Sequence, residues 1–250
     1  MTEKLRHVVP YETGDGSMTL YDEERDIHYR SFHGAISESR HVFLGATGLL
    51  ERRHEWRVAE LGFGAAVNFT QTVKAFRADD GVSKLVYHSV DWRPVTAEHL
   101  EFHQGEGGDL ARELVSRFHS AQDGQDRQVR LESEDGAIDV VLHASPWHEV
   151  DLAGVRAQAF FHDPFSKRVN PDGWTREAFA GAMAAMDESG RLATYSAATS
   201  VKRAMFEAGF VVATAPGPGR KREITVASPS AQALQGLELL EREKYLGAPQ

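Results

Sequence analysis

The sequence of 250 residues contains no cysteine, which excludes disulfide bonds, thiolate metal sites and a cysteine nucleophile. It also has no apolar run of the roughly 18 residues that a membrane-spanning helix needs, and its first residues lack the apolar segment of a secretory signal. We therefore expect a cytoplasmic protein.

Basic residues are also few. The sequence has 28 Lys and Arg against 37 Asp and Glu, so the net charge is 28 − 37 = −9. A polyanionic partner would have to bind a local basic patch rather than the overall field of the protein. The hydrophobic content of 41% is ordinary for a globular protein, so the chain can bury a sizeable core.

An apolar run, two glycines and the start of a helical pattern follow one another in residues 58–69. Gly62 and Gly64 lack the Cβ atoms that would hold a ligand away from the backbone, and the following helix would begin with free N–H groups. Asp91 follows the next strand-like run, where an acidic residue of a βαβ unit can accept hydrogen bonds from a ribose. This stretch predicts a nucleotide-type cofactor site.

Strand-like and helical patterns alternate along the chain, which predicts one domain built on a doubly wound, mostly parallel sheet. The predicted strands are 56–61, 85–90, 129–134, 138–142, 157–162, 191–196, 210–215 and 223–227, and the predicted helices are 66–76, 94–119 in two pieces, 175–186 and 199–208. We expect residues 1–50 to hold a β-hairpin at 17–31 and a helix from 35, residues 51–228 to form the core, and residues 229–250 to add a tail helix.

Two classes of enzyme with an open sheet begin with such a glycine loop: nicotinamide dehydrogenases and methyltransferases that use S-adenosylmethionine. Dehydrogenases require a third glycine, but Val67 stands at that position. The acidic Glu60 just before the glycines resembles the first motif of methyltransferases. The final strand pair, residues 210–227, resembles the antiparallel hairpin that ends their sheet.

Four motifs occur in order at residues 38–44, 60–69, 163–175 and 219–223. Together they resemble the methyltransferase domain of the MnmC family, which modifies wobble uridines of tRNA, over residues 20–228. The resemblance implies a stand-alone form without the flavin oxidase domain, and a class I, Rossmann-like fold with a seven-stranded sheet, a C-terminal antiparallel hairpin and a small N-terminal β-hairpin. It further implies methyl transfer from S-adenosylmethionine to the amine of 5-aminomethyluridine, or its 2-thio form, in tRNA.

The resemblance also implies roles for particular residues. Asp163 is the expected catalytic residue, which orients the amine and can take its proton. The expected cofactor-binding residues are Glu60, Gly62, Gly64, Asn68, Asp91 and Ser145. The expected substrate and RNA contacts are Phe165, Lys167, Arg220, Lys221 and Arg222, the last three in a loop flanked by proline and glycine. No metal site is expected, because His99 and His103 lack a HExxH pattern.

Two segments depart from the family pattern. Ala65 and Ala66 stand where threonine and a third glycine are common, and Ala144 and Ser145 stand where Gly-Asp usually contacts adenine, although a serine can still hydrogen-bond the adenine amine. Two alternatives therefore remain open: a small-molecule N- or O-methyltransferase on the same fold, and a protein that no longer catalyses transfer.

Overall fold

The computed structural model describes residues 5, 7–121, 127–219 and 222–247. Within them, twelve strands form two sheets. The strands are β1 (Val8–Glu12), β2 (Met18–Asp22), β3 (Ile27–His28), β4 (His54–Leu61), β5 (Val82–Val90), β6 (Gln128–Glu132), β7 (Ile138–His143), β8 (Ala157–His162), β9 (Met186–Thr194), β10 (Val211–Pro216), β11 (Glu223–Ser228) and β12 (Glu238–Leu239).

The helices separate most of these strands. The α-helices are α1 (Ala35–Glu38), α2 (Val67–Arg77), α3 (Glu106–Ser120), α4 (Arg176–Ala185), α5 (Thr199–Glu207) and α6 (Glu243–Leu246). A π-helix, Ser39–Gly45, continues α1 directly. Among the described residues, no helix is both long and apolar enough to cross a bilayer.

The large sheet has the strand order β12-β10-β11-β9-β8-β4-β5-β7-β6. Its centre, from β9 to β7, is parallel, and β11 lies antiparallel between β9 and β10. The chain moves from β4 to β5 on one side and later returns to β8 on the other. This reversal opens a crevice at the carboxyl ends of β4, β5 and β8, which is where open α/β sheets bind ligands.

Both faces of the central strands are covered because their side chains alternate. On β4, Trp56 and Val58 pack in a core with residues of α2 and α3, while Ala59 and Leu61 pack with residues of α4 and α5. The predicted parallel sheet with an antiparallel end is confirmed. It has nine strands rather than the seven that the family resemblance implies, since β6, which the sequence predicted at 129–134, and β12, which it did not predict, lie at its edges.

Two segments differ from their predictions. Helix α4 ends at Ala185, and β9 begins at Met186 rather than at 191. Gly190 lies within this strand, where a Cβ atom would come 2.5 Å from the carbonyl oxygen of Ala157 on β8. The predicted tail helix is wrong for its described part. Residues 231–234 form a 3-10 turn, Gly236 turns the chain with a φ of 88°, β12 pairs with β10, and α6 has only four residues.

The small sheet contains the predicted hairpin, β2 and β3, together with an additional strand, β1. The chain leaves β3 at His28, and the next two residues reach the crevice of the large sheet. The N-terminal sheet therefore contributes directly to the site described below.

Gly62, which follows β4, is the backbone position that brings β4 and β8 together at the crevice. Its φ is 101°, and a Cβ atom there would lie 2.4 Å from the carbonyl oxygen of Asp163. We expect Gly62→Ala to lower the free energy of unfolding by at least about 2 kcal/mol, from strain and this clash. The measurement is urea denaturation.

Gly16→Ala is the matched control, because Gly16 also has a positive φ, 76°, but nothing lies within 4 Å of its added Cβ. It should cost about 1 kcal/mol, the conformational part alone. Equal losses in the two variants would show that the contact with Asp163 is unimportant.

Candidate active site

The glycine loop joins the ends of three elements. After β4, Gly62 and Gly64 adopt positive φ values of 101° and 49°, and the chain turns into α2. The Gly62 N–H donates to the carbonyl oxygen of Val90 (2.9 Å), and the Gly64 N–H donates to Oδ2 of Asp91 (2.8 Å). Asp91 therefore lies against the loop, as the ribose role requires, and burial raises the pKa of its carboxyl group.

Ala66 stands where a third glycine is common. Its φ is 57°, in the left-handed region that glycine favours, so an alanine there costs about 1 kcal/mol in backbone strain. The neighbouring Ala65 is held by His103, whose Nε2 donates to the Ala65 carbonyl oxygen (2.7 Å). Burial lowers the pKa of His103, which favours a neutral imidazole with its proton on Nε2.

Asp163 follows β8 at the opposite side of the crevice. Its N–H donates to the carbonyl oxygen of Leu61 (2.9 Å), which fixes the residue beside the end of β4. Its Oδ2 accepts hydrogen bonds from Nδ2 of Asn68 (2.9 Å) and from Nη1 of Arg30. The side chain is only 8% exposed, so the carboxylate is held by specific donors and largely shielded from water.

Arg30 is a member of the site that the sequence did not reveal. Its side chain is 4% exposed and lies between Asp163 and Glu38, whose Oε2 is 3.3 Å from Nη2. The guanidinium also lies over the ring of Phe43, 4.9 Å from its centre. Glu38 and Phe43 stood in the first of the four motifs, but Arg30 precedes them and belonged to no motif.

Asn68, at the start of α2, connects the two carboxylates of the site. Ser39 donates to Oδ1 of Asn68 (2.7 Å), which turns Nδ2 toward Oε1 of Glu60 (3.0 Å) as well as toward Asp163. Glu60 is 1% exposed and also accepts from Ser89 (2.7 Å). Burial raises the pKa of Glu60 to about 7, although these hydrogen bonds act in the opposite direction.

Aromatic residues border the crevice. The rings of Tyr29 and Phe165 meet edge to face, 4.9 Å apart. Tyr29 also lies against Gly64, where a Cβ atom would come 3.3 Å from its ring. The predicted substrate contact Phe165 is thus placed beside the glycine loop.

The loop after Asp163 is fixed by two side-chain hydrogen bonds. The Tyr195 hydroxyl donates to the carbonyl oxygen of Pro164 (2.9 Å), and Nε1 of Trp174 donates to that of Phe165 (2.8 Å). Trp174 is therefore a structural anchor of this loop.

Ser145 lies near the crevice and also borders a second cavity. It comes two residues after His143, whose carbonyl oxygen accepts from the Asp91 N–H (3.0 Å). With Arg57 and His88 it also lines a cavity of about 590 Å³ on the sheet face opposite α2 and α3. Its contact with adenine remains a prediction.

The predicted RNA contacts are only partly described. Lys167 and Arg222 are exposed, as is Arg168. Arg220 and Lys221 lie outside the described residues. In the part of the chain that the structure describes, no cluster of three or more His, Asp or Glu side chains could hold a metal ion.

These features fit a bound S-adenosylmethionine. Gly62 and Gly64 turn the chain into α2, whose N-terminus has no side-chain cap, so its first N–H groups can meet a carboxylate. Asp91 keeps lone pairs for ribose hydroxyls, since each of its oxygens accepts one backbone N–H. The strand order and this loop define a class I methyltransferase.

Comparison with known protein families also indicates a methyltransferase. Residues 106–230 match the profile of a family described as S-adenosyl-L-methionine-dependent methyltransferase. The match covers half of the chain, and the chain belongs to this family, whose cofactor is S-adenosylmethionine.

Individual proteins extend the similarity to the N-terminal part. The tRNA 5-methylaminomethyl-2-thiouridine biosynthesis bifunctional protein MnmC of Cupriavidus metallidurans is 34% identical, with 91% of this chain and 34% of that protein covered. Its counterpart in Caulobacter vibrioides is 32% identical, with 79% and 34% covered. The chain thus spans about a third of these relatives. The crystal structure of MNMC2 from Aquifex aeolicus is 25% identical, with a TM-score of 0.72, 95% of this chain and 74% of that chain covered.

The buried Glu60 gives a prediction on pH. The pKa of Glu60 is about 7 in the folded protein against an ordinary 4.5, so folding retains a proton that the unfolded chain loses between these values. Stability from this group is complete below pH 4.5 and is lost as the pH rises through about 7, by up to about 3 kcal/mol. Glu60→Gln has no such titration. In urea denaturation, its free energy of unfolding relative to that of the wild type should therefore be higher at pH 8 than at pH 5.

Glu55→Gln, a change on the same strand at a half-buried surface position, serves as the control and should follow the wild type at both pH values. A constant difference between Glu60→Gln and the wild type from pH 5 to pH 8 would contradict the assigned burial effect.

Proposed function

We propose that the protein methylates the amine of 5-aminomethyluridine, or its 2-thio form, at the wobble position of tRNA. The observation that carries the proposal is the position of Asp163, which lies at the glycine loop of a methyltransferase fold and is bonded to Arg30 and Asn68. The name of the MnmC relatives, which are about a third identical over most of this chain, supports the substrate.

The reaction needs little covalent chemistry from the protein. S-adenosylmethionine supplies, when bound, a methyl group on a positively charged sulfur. The amine must reach that carbon with a free lone pair, so alignment of the nitrogen is the main contribution of the site. Asp163 accepts an N–H of the amine, and its own position is fixed by the bonds to Asn68 and Arg30.

The surface around the crevice offers contacts for RNA. Lys167 and Arg168 are exposed directly after the Asp163 loop, where they can meet phosphates despite the net charge of −9. On the N-terminal sheet and in the residues just after it, ring contacts with centres 4.0 to 6.2 Å apart connect Tyr11, Tyr21, His28, Phe32 and His33. Phe32 is 53% exposed, and such rings can stack on unpaired bases of an anticodon loop.

Methyl transfer from labelled S-adenosylmethionine to tRNA that carries 5-aminomethyluridine tests the proposal. The wild type should yield the methylaminomethyl nucleoside by mass spectrometry, and Asp163→Asn should be slower by at least about a hundredfold, since alignment of the amine is lost. Asp172→Asn, an exposed carboxylate beyond the same loop, should match the wild type. Equal transfer to a free aminomethyl nucleoside and to tRNA would favour the small-molecule alternative.

The role of the basic loop is tested separately. Replacing Lys167 and Arg168 by Ala should raise the KM for tRNA and reduce the slope of log affinity against log salt concentration by about one to two units. Affinity for S-adenosylhomocysteine, measured by calorimetry, should stay unchanged. Arg117→Ala, on the exposed side of α3, is the control, and an equal effect on tRNA binding there would refute a specific patch.

A further inference from the structure

Arg30 is a buried cation between two carboxylates, and its charge affects which protonation state of the substrate amine can bind. Nη1 donates to Asp163, Nη2 is 3.3 Å from Glu38, and both carboxylate side chains are at most 12% exposed. Even when buried ions are paired, the loss of their hydration can exceed the gain from their attraction, so these three charges at the reacting end of the crevice are not explained by stability alone.

The substrate amine must be neutral to react. A primary amine transfers no methyl group while it is an ammonium ion, because the ammonium nitrogen has no lone pair. A buried carboxylate without a countercharge would stabilise that ammonium ion by Coulomb attraction. A site with Asp163 and Glu38 alone would therefore hold the substrate in its unreactive form.

We propose that Arg30 is a positioning residue that makes the site select the neutral amine, by countering the charge of Asp163 while leaving its oxygens able to accept an N–H. This inference rests on the proposed function. The positive charge of Arg30 disfavours a second cation beside Asp163, and the carboxylate still aligns the amine through a hydrogen bond. The amine loses its ammonium proton to water before binding. On transfer its nitrogen bonds the methyl carbon as the bond of that carbon to sulfur breaks, and one proton of the new methylammonium group leaves through Asp163 to water.

Among the described residues, the other titratable groups that face this position are carboxyl groups and phenols, which bring no positive charge in place of Arg30. Glu60 is connected to Asp163 through Asn68, and Asp91 lies across the glycine loop. Both are carboxyl groups whose pKa is raised by burial, and where they are ionised they also favour an ammonium ion. Tyr29 and Tyr195 border the same space, and burial raises the pKa of each phenol, so they stay neutral.

The test is the pH dependence of kcat/KM with tRNA that carries 5-aminomethyluridine. In Arg30→Met the acid limb of the profile should move to higher pH, so activity at pH 7 should fall on the order of tenfold and recover in alkaline solution. Arg30→Lys keeps the charge and should keep the limb close to that of the wild type. Binding of the modified anticodon stem-loop, with S-adenosylhomocysteine present, should become tighter at low pH in Arg30→Met.

Glu38→Gln should shift the acid limb in the direction opposite to that in Arg30→Met, and it keeps Arg30 in place. It removes a negative charge beside Arg30, so the acid limb should move to lower pH. Arg40→Met is the matched control: Arg40 is exposed, bonds to Gln71, and should leave the profile unchanged. The profile in a Glu60→Gln background separates titration of the amine from titration of Glu60.

Two outcomes distinguish failure of the inference from failure of the function. If the wild type methylates the amine but neither Arg30→Met nor Glu38→Gln moves the acid limb, Arg30 acts only in folding and the inference is wrong. If the folded wild type binds S-adenosylhomocysteine but methylates no aminomethyl nucleoside, the proposed function itself is wrong.

Discussion

The contact on which this site depends is the ion pair between Arg30 and Asp163, since it joins the N-terminal sheet to the crevice of the large sheet. Asp163 follows β8, whereas Arg30 follows the last strand of the small sheet. Asn68 extends the contact to Glu60, so polar groups from four segments meet in one buried network. Removing one member would leave another charge buried without a partner, which typically costs 3–5 kcal/mol.

This dependence gives the N-terminal sheet a role beyond packing. Tyr29 and Arg30 enter the site together, one against the glycine loop and one on Asp163. The rings of His28 and Phe32 contact each other, and these two residues flank Tyr29 and Arg30 in the sequence. Each is two residues from Arg30, a length of extended chain of about 7 Å. Under the proposed function, this short segment would contact the reacting nucleotide and the bases beside it.

Much of the fold could be predicted from the sequence, because β4, α2, β5 and β8 have strong apolar periodicity and are separated by glycine or polar residues. The tail could not, because β12 is a two-residue strand whose position depends on pairing with β10. In the site, the glycine loop and Asp163 were visible as motifs. Arg30 was not, because its partner is 133 residues away and no local pattern marks a long-range ion pair.

The central claim is that methyl transfer occurs in the crevice between the glycine loop and Asp163. A crystal structure with S-adenosylhomocysteine tests it most directly. We expect the ribose hydroxyls within hydrogen-bond distance of Asp91, the adenosine beside the loop at Gly62 and Gly64, and the sulfur directed toward Asp163 with Arg30 still paired to it. A ligand bound instead in the cavity lined by Arg57 and His88 would contradict the account.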